Sequence, residues 1–244
     1  MAADSNVELL QSGKADFKLQ VPYQVLETGK AGKQKPLIVY LHGYGQTIKS
    51  FREDCTELLT AEAFHLFIQA PYPLYDQSRK KKVSEWGRAW YLFDGDQEQF
   101  RTSLDHASRF IREIITRVKE VVDASRICLI GFSMGGYLAG YHAIHCSEQV
   151  NEVIIYGARF KSELLIGDYQ KISHQNILAL HGKADKKVEP GPQQAEILTL
   201  RRNGVNATFM EIDEAHDISQ SGIKKILEWL KNKGYTCMSN ITFS

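Results

Sequence analysis

With 244 residues, 43% hydrophobic and 24% charged, the chain has the composition of a soluble globular protein, long enough to bury a substantial core and more naturally one large domain than two. Thirty basic residues against 29 acidic ones leave a net charge of +1, without the electrostatic footprint of a nucleic-acid-binding protein. No apolar run approaches the ~20 residues needed to cross a bilayer.

The polar start, Met1-Ala2-Ala3-Asp4-Ser5-Asn6, has neither the basic nor the apolar region of a secretory signal, so a cytoplasmic protein is expected. Cys55, Cys128, Cys146 and Cys237 show no close pairing and fit reduced thiols. The one basic run, Arg79-Lys80-Lys81-Lys82, reads as a solvated loop.

Residues 1–14 carry no clear signal and are expected to form a flexible arm, with a single domain from 15 to 244. Phe17, Leu19 and Val21 alternate with polar residues, and Tyr23 and Val25 continue beyond Pro22, which predicts two short antiparallel strands with the proline at a turn or edge. Leu37-Ile38-Val39-Tyr40-Leu41 is a continuous apolar run, as a central strand covered on both faces requires. A helix is expected over 50–61 and a second buried strand over 66–70. Residues 75–96, polar and aromatic, read as a long surface loop. From 97 to 122, Phe100, Leu104, Ala107, Ile111, Ile114, Ile115 and Val118 recur at spacings of three and four, an amphipathic helix. Further strands are expected over 127–130, 153–156, 177–180 and 207–212. Helices are expected over 134–146, 192–203 with Asn203-Gly204 as its C-cap, and 223–231. Strands alternating with helices predict an α/β fold, a mostly parallel central sheet with helices on both faces. The twenty residues 157–176 between two of the strands leave no room for a large lid.

Ile127 to Gly136 runs as an apolar strand into a small-residue turn that opens a helix, and Gly131-Phe132-Ser133-Met134-Gly135 fits the G-x-S-x-G nucleophile elbow. The pattern has a steric reason. The serine sits on a strained turn, where a side chain two residues to either side would crowd the incoming strand or outgoing helix. A serine alcohol needs a base, usually a histidine oriented by a carboxylate. Asp185 follows the strand ending in His181-Gly182, 52 positions after Ser133, and His216 follows the last strand, 31 positions later. Both therefore belong to loops at the strand C-termini, the edge where open α/β sheets place their sites. Asp213 and Glu214 lie on the wrong loop for the order Ser, Asp, His. His106, His142 and His145 fall within predicted helices. No histidine spacing supports a zinc site, so neither metal nor cofactor is expected.

Acyl transfer also needs hydrogen-bond donors for the developing oxyanion. The backbone N–H of Met134, after the nucleophile, supplies one, and the N–H of Tyr44, in the Gly-rich turn His42-Gly43-Tyr44-Gly45, the second. Tyr72, Trp86 and Trp90 are candidates for the apolar wall of the substrate pocket.

Leu41-His42-Gly43-Tyr44-Gly45, Gly131-Phe132-Ser133-Met134-Gly135-Gly136, the run from His181 to Val188 and the late His216 together resemble the phospholipase/carboxylesterase family, which includes the acyl-protein thioesterases. The resemblance implies an α/β-hydrolase fold with Ser133, Asp185 and His216 as triad, and Tyr44 and Met134 as oxyanion hole. Ala89-Trp90-Tyr91 is similar to the family's Trp-Phe segment beside the acyl pocket. The chain departs from the family at Met134, where thioesterases usually carry glutamine, and in its more basic loop before Trp86. The expected function is cleavage of small-molecule carboxylic esters of short or medium acyl chains, thioesters included, through an acyl-serine, by a monomer or homodimer. A peptidase or amidase on the same fold, and a non-catalytic ligand-binding homologue, are the alternatives.

Overall fold

A computed structural model of the chain describes residues 9–15 and 18–239. In chain order the elements are β1 (Tyr23–Glu27), β2 (Lys35–Leu41), α1 (Ile48–Asp54), β3 (Phe64–Ile68), β4 (Tyr72–Pro73), β5 (Arg88–Ala89) and α2 (Gln97–Lys119). There follow β6 (Ala124–Phe132), α3 (Met134–His145), β7 (Glu152–Tyr156), β8 (Asn176–Gly182), α4 (Pro190–Arg202), β9 (Asn206–Ile212) and α5 (Gln220–Asn232). Seven strands form one sheet in the order β1-β3-β2-β6-β7-β8-β9; only β1 runs antiparallel to its neighbour.

The apolar runs of the central strands divide by alternation into two cores. Leu37, Val39 and Leu41 of β2, Ile127 and Leu129 of β6, and Val153 and Ile155 of β7 face the layer of α2, α3 and α4. Ile38 and Tyr40, Cys128 and Ile130, and Ile154 and Tyr156 face α1 and α5. The sheet is therefore covered on both sides, which is why its central strands β2, β6, β7 and β8 carry long buried apolar runs. Helix α2 buries Leu104, Ala107, Ile111, Ile114, Ile115 and Val118, the stripe that the periodicity marks, and is capped by Asp96, whose carboxylate accepts from Gln99 N–H at 2.8 Å. Between β7 and β8 lie two short 3₁₀ turns, Ser162–Leu165 and Tyr169–Ile172, and no lid domain.

Three expectations are corrected. The two strands expected around Pro22 reduce to β1 alone. Phe17 lies outside the described residues, as does most of the expected arm (residues 1–8), while Leu19 is exposed and covers no sheet face. Proline has no N–H for a ladder, and pairing with β3 begins just past it. The helix expected over 50–61 ends at Asp54 and tightens into a 3₁₀ turn, Thr56–Thr60, which still buries Leu58 and Leu59. The expected surface loop of residues 75–96 turns inward at its end: β5 pairs with β4, and Trp90 and Tyr91 are buried.

Candidate active site

Ser133 sits between β6 and α3 at φ 50°, ψ −117°, a conformation that side chains rarely adopt and that only the surrounding structure can enforce. The enforcing contacts are close. A Cβ on Gly131 would lie 2.2 Å from the carbonyl oxygen of Gly135, and one on Gly135 would lie 2.1 Å from that of Leu41. Glycine at both positions lets α3 start directly against the ends of β6 and β2. The N–H of Ser133 donates to Tyr156 O at 2.8 Å, which carries the β6–β7 pairing to the turn itself.

The loops after β8 and β9 meet this turn. Lys183 N–H donates to Ile212 O at 2.8 Å and Ala184 N–H to Glu214 O at 2.9 Å, so the segments carrying Asp185 and His216 are stitched to each other. His216 Nε2 stands 2.8 Å from Ser133 Oγ, and its Nδ1 stands 2.6 Å from Asp185 Oδ2. The other carboxylate oxygen of Asp185 accepts from the N–H groups of Lys187 and Val188, each at 2.9 Å. Burial works to raise the Asp185 carboxyl; the Val188 N–H, His216 and the Lys187 N–H outweigh it, and the group is held below the usual carboxylate range. An ionised Asp185 accepts only, so His216 carries its proton on Nδ1 and presents a bare Nε2 to the serine hydroxyl. The Phe132 ring packs against His216, centroids 5.1 Å apart.

The turn after β2 is fixed from both sides. His42 is buried, and burial lowers its pKa to about 4, so its imidazole is neutral at physiological pH. Its Nε2 accepts from Ala70 N–H at 3.1 Å, which puts the ring proton on Nδ1, donated to Gly43 O at 2.8 Å. The Gly43 N–H donates to Gln46 Oε1 at 2.7 Å, and Gln46 Nε2 is anchored on Asp54 at 2.7 Å. Both polar groups of Gly43 are thus engaged. The planar trans peptide then directs the N–H of Tyr44 away from the His42 ring, and among the described residues it meets no acceptor. Met134, the first residue of α3, has an N–H without an intrahelical partner. Beneath the turn, Trp90 donates from Nε1 to His42 O at 2.7 Å and packs on the His42 ring.

The structure thus draws Ser133, His216 and Asp185 into one hydrogen-bonded chain and sets the Tyr44 turn beside the start of α3. It does not gather the three aromatic candidates. Trp90 is fully buried, and its backbone N–H meets Met134 Sδ at 3.5 Å. Tyr72 borders an open cavity of about 440 Å³ shared with Asp96, Thr102 and His106. Trp86 stacks edge-on against Tyr75 and bonds Lys81 O. A more apolar cleft of about 300 Å³ is lined by Tyr91, Phe93, Phe100, Tyr137 and Lys161, of which Tyr137 stands one turn along α3 from Ser133. The sequence reading had no role for Gln46, nor for buried His181, which bonds Val188 O at 2.8 Å and so braces the turn presenting Asp185. His181 stands in the same short run as Asp185, the one hint available; Gln46 is marked by nothing but its place beside the glycines.

A seven-stranded, mostly parallel sheet flanked by helices, with a strained strand-to-helix turn at the end of β6 and no lid among the described residues, is the α/β-hydrolase fold. Within it, the chain belongs to the phospholipase/carboxylesterase family, whose model matches residues 24–233, and is an esterase-like hydrolase. It is similar to lysophospholipase-like protein 1 of Mus musculus, 25% identical over 209 residues that cover 82% of this chain and 87% of that protein. In fold it resembles acyl-protein thioesterase 2 of Zea mays (TM-score 0.67, 19% identity, 87% of this chain and 99% of that one). It likewise resembles the Bacillus cereus carboxylesterase (TM-score 0.66, 13% identity, 87% and 94%). No helix among the described residues is long and apolar enough to cross a membrane.

Proposed function

We propose that this hydrolase cleaves carboxylic esters of short or medium acyl chains, and thioesters of the same acids, through an acyl-serine intermediate. Ser133 Oγ attacks the carbonyl carbon while His216 Nε2 takes its proton; the tetrahedral oxyanion is held by the N–H groups of Tyr44 and Met134. Collapse breaks the ester bond, and the imidazolium returns its proton to the leaving alkoxide or thiolate. Water, deprotonated by His216, then releases the acid by the same path. Asp185 holds the tautomer and balances the imidazolium charge.

The observation that carries this reading is the unbroken chain from Ser133 Oγ to His216 (2.8 Å) to Asp185 (2.6 Å), on a strained strand-to-helix turn. The test is Ser133→Ala against 4-nitrophenyl butyrate, with fluorophosphonate labelling of the unmodified enzyme. We expect labelling of wild type only, and hydrolysis by the variant reduced at least about 10³-fold with the fold intact. Full activity in the variant ends the proposal, and an unlabelled, inactive wild type would favour a ligand-binding role. Parallel assays with peptide amides separate esterase from amidase.

A further inference from the structure

The basic run Arg79-Lys80-Lys81-Lys82 is exposed, and its backbone is hydrogen-bonded within its own loop. Both neighbouring acids are turned onto backbone. The Asp76 carboxylate accepts from Ser78 Oγ and from the N–H groups of Lys80 and Lys81 (3.1 Å each), and Glu85 accepts from Lys82 N–H at 2.9 Å. None of the four cations has an ion-pair partner among the described residues. In a chain of net charge +1, residues 76–88 carry five cations (Arg79, Lys80, Lys81, Lys82 and Arg88) against two carboxylates (Asp76 and Glu85), a local net charge of +3.

The loop is also fastened to the turn that carries Tyr44. Arg88 N–H donates to Gln46 O at 3.1 Å and Gly45 N–H to Arg88 O at 2.9 Å. Arg88 reaches back to Val83 O at 3.2 Å, and Trp86 Nε1 to Lys81 O at 3.1 Å. Gly87 approaches Gly45 so closely that a Cβ on it would lie 2.5 Å from the Gly45 carbonyl oxygen. The cations therefore stand on a segment hydrogen-bonded to the turn that carries Tyr44, itself an exposed ring. A fixed cluster of one sign beside a cleft raises the local concentration of oppositely charged substrate.

We propose that the Arg79–Lys82 cations recognise an anionic group, carboxylate or phosphate, that the ester substrate carries away from its scissile bond, so that the enzyme selects anionic esters. This rests on the esterase reading above and adds the substrate class. The test compares wild type with a variant carrying Arg79→Asn, Lys80→Gln, Lys81→Gln and Lys82→Gln. The exchanges alter only exposed side chains and leave the backbone donors to Asp76 and Glu85 in place; asparagine suits the left-handed backbone at 79 (φ 55°). Three soluble probes are hydrolysed: neutral 4-nitrophenyl butyrate, the half-ester 4-nitrophenyl glutarate with its charge on the acyl side, and the butyrate of a nitrophenol bearing a carboxylate. Phosphatidylserine vesicles form a fourth arm.

At low ionic strength, kcat/KM for at least one anionic probe, relative to the neutral one, is expected to fall about tenfold in the variant, the lower end of what focused fields supply. About 1 M salt, where the Debye length shrinks to about 3 Å, should cause the same fall in wild type. Turnover of the neutral ester with an unchanged ratio for both anionic probes overturns this inference alone. So does an unchanged ratio combined with vesicle binding lost in the variant, which would assign the cations to a membrane surface. Failure of wild type to hydrolyse even the neutral ester overturns the esterase reading with it.

Discussion

Asp185→Asn is a nearly isosteric change whose effect follows from the donors around the carboxylate. One oxygen faces two backbone N–H groups at 2.9 Å; the other faces His216 Nδ1 at 2.6 Å. An asparagine amide satisfies the backbone pair only with its oxygen on their side, which turns its NH₂ toward His216. An imidazole that accepts at Nδ1 carries its proton on Nε2, the atom 2.8 Å from Ser133 Oγ, and is no longer a base there. The flipped amide would restore the tautomer but would set its NH₂ against two N–H donors. Leaving both unsatisfied costs about 3 kcal/mol, at about 1–3 kcal/mol per buried group, and that holds the productive orientation below about 1%. The charge opposite the imidazolium is lost as well. Together these lower kcat for 4-nitrophenyl butyrate by about 10³–10⁴-fold. Steady-state kinetics measure the loss, and circular dichroism with a thermal melt checks that the fold survives. A folded variant keeping more than about a tenth of wild-type kcat would refute both the assigned tautomer and the role of the two backbone donors.

Gln46→Leu removes the acceptor of Gly43 N–H and the partner of Asp54, loosening the turn that presents Tyr44. We expect kcat to fall about tenfold with KM changed little, since the damage is to a transition-state contact, and unfolding free energy to drop by about 1–2 kcal/mol. An unchanged kcat would show that the turn is held without Gln46. Acid stability follows from three buried histidines. Burial lowers His42, His65 and His142 to about 4 each, against 6.5 for the free side chain. Between 6.5 and 4 the unfolded chain binds protons that the native state refuses, so stability is complete above pH 6.5 and lost as pH falls toward 4, by up to about 3 kcal/mol per histidine. Asp185, lowered from 3.8, adds to the loss at still lower pH. Urea unfolding at about pH 7, 5.5 and 4.5 reads this directly, and a midpoint independent of pH over that range would contradict it.

The sheet was legible because central strands covered on both faces leave unbroken apolar runs, such as Leu37 to Leu41, that no surface element carries. The hydrogen-bonded residues were legible for a related reason: Ser133, Asp185 and His216 each stand just after such a run, and parallel strands bring their C-terminal ends to one edge. What sequence reasoning missed depends on contacts between distant segments. Trp90 lies in a stretch with no hydrophobic period; it is buried by packing in the core and on the ring of His42, 48 positions away, whose carbonyl its indole N–H bonds. Likewise, the spacing of Leu58 and Leu59 fits a helix continued past Cys55, and the tighter 3₁₀ turn buries the same side chains. Periodicity names the face that is covered, and leaves open whether a turn contains 3.0 or 3.6 residues.

The two donors proposed for the oxyanion come from separate elements, the turn after β2 and the first residue of α3, so their relative position is only as exact as the contact between them. That contact is backbone on backbone: Gly135 approaches Leu41 O and His42 O more closely than any side chain would permit. Underneath, Trp90 holds the carbonyl of His42, and His42 in turn holds that of Gly43. Among the described residues, the Tyr44 N–H of this stack is left without an acceptor. A hole assembled in this way has little freedom to reorganise when charge develops, which is the condition under which fixed dipoles stabilise an oxyanion best. The candidate turn shares backbone hydrogen bonds with the basic loop through Arg88, Gly45 and Gln46, while the stack of Trp90, His42 and Gly43 holds it from the other side.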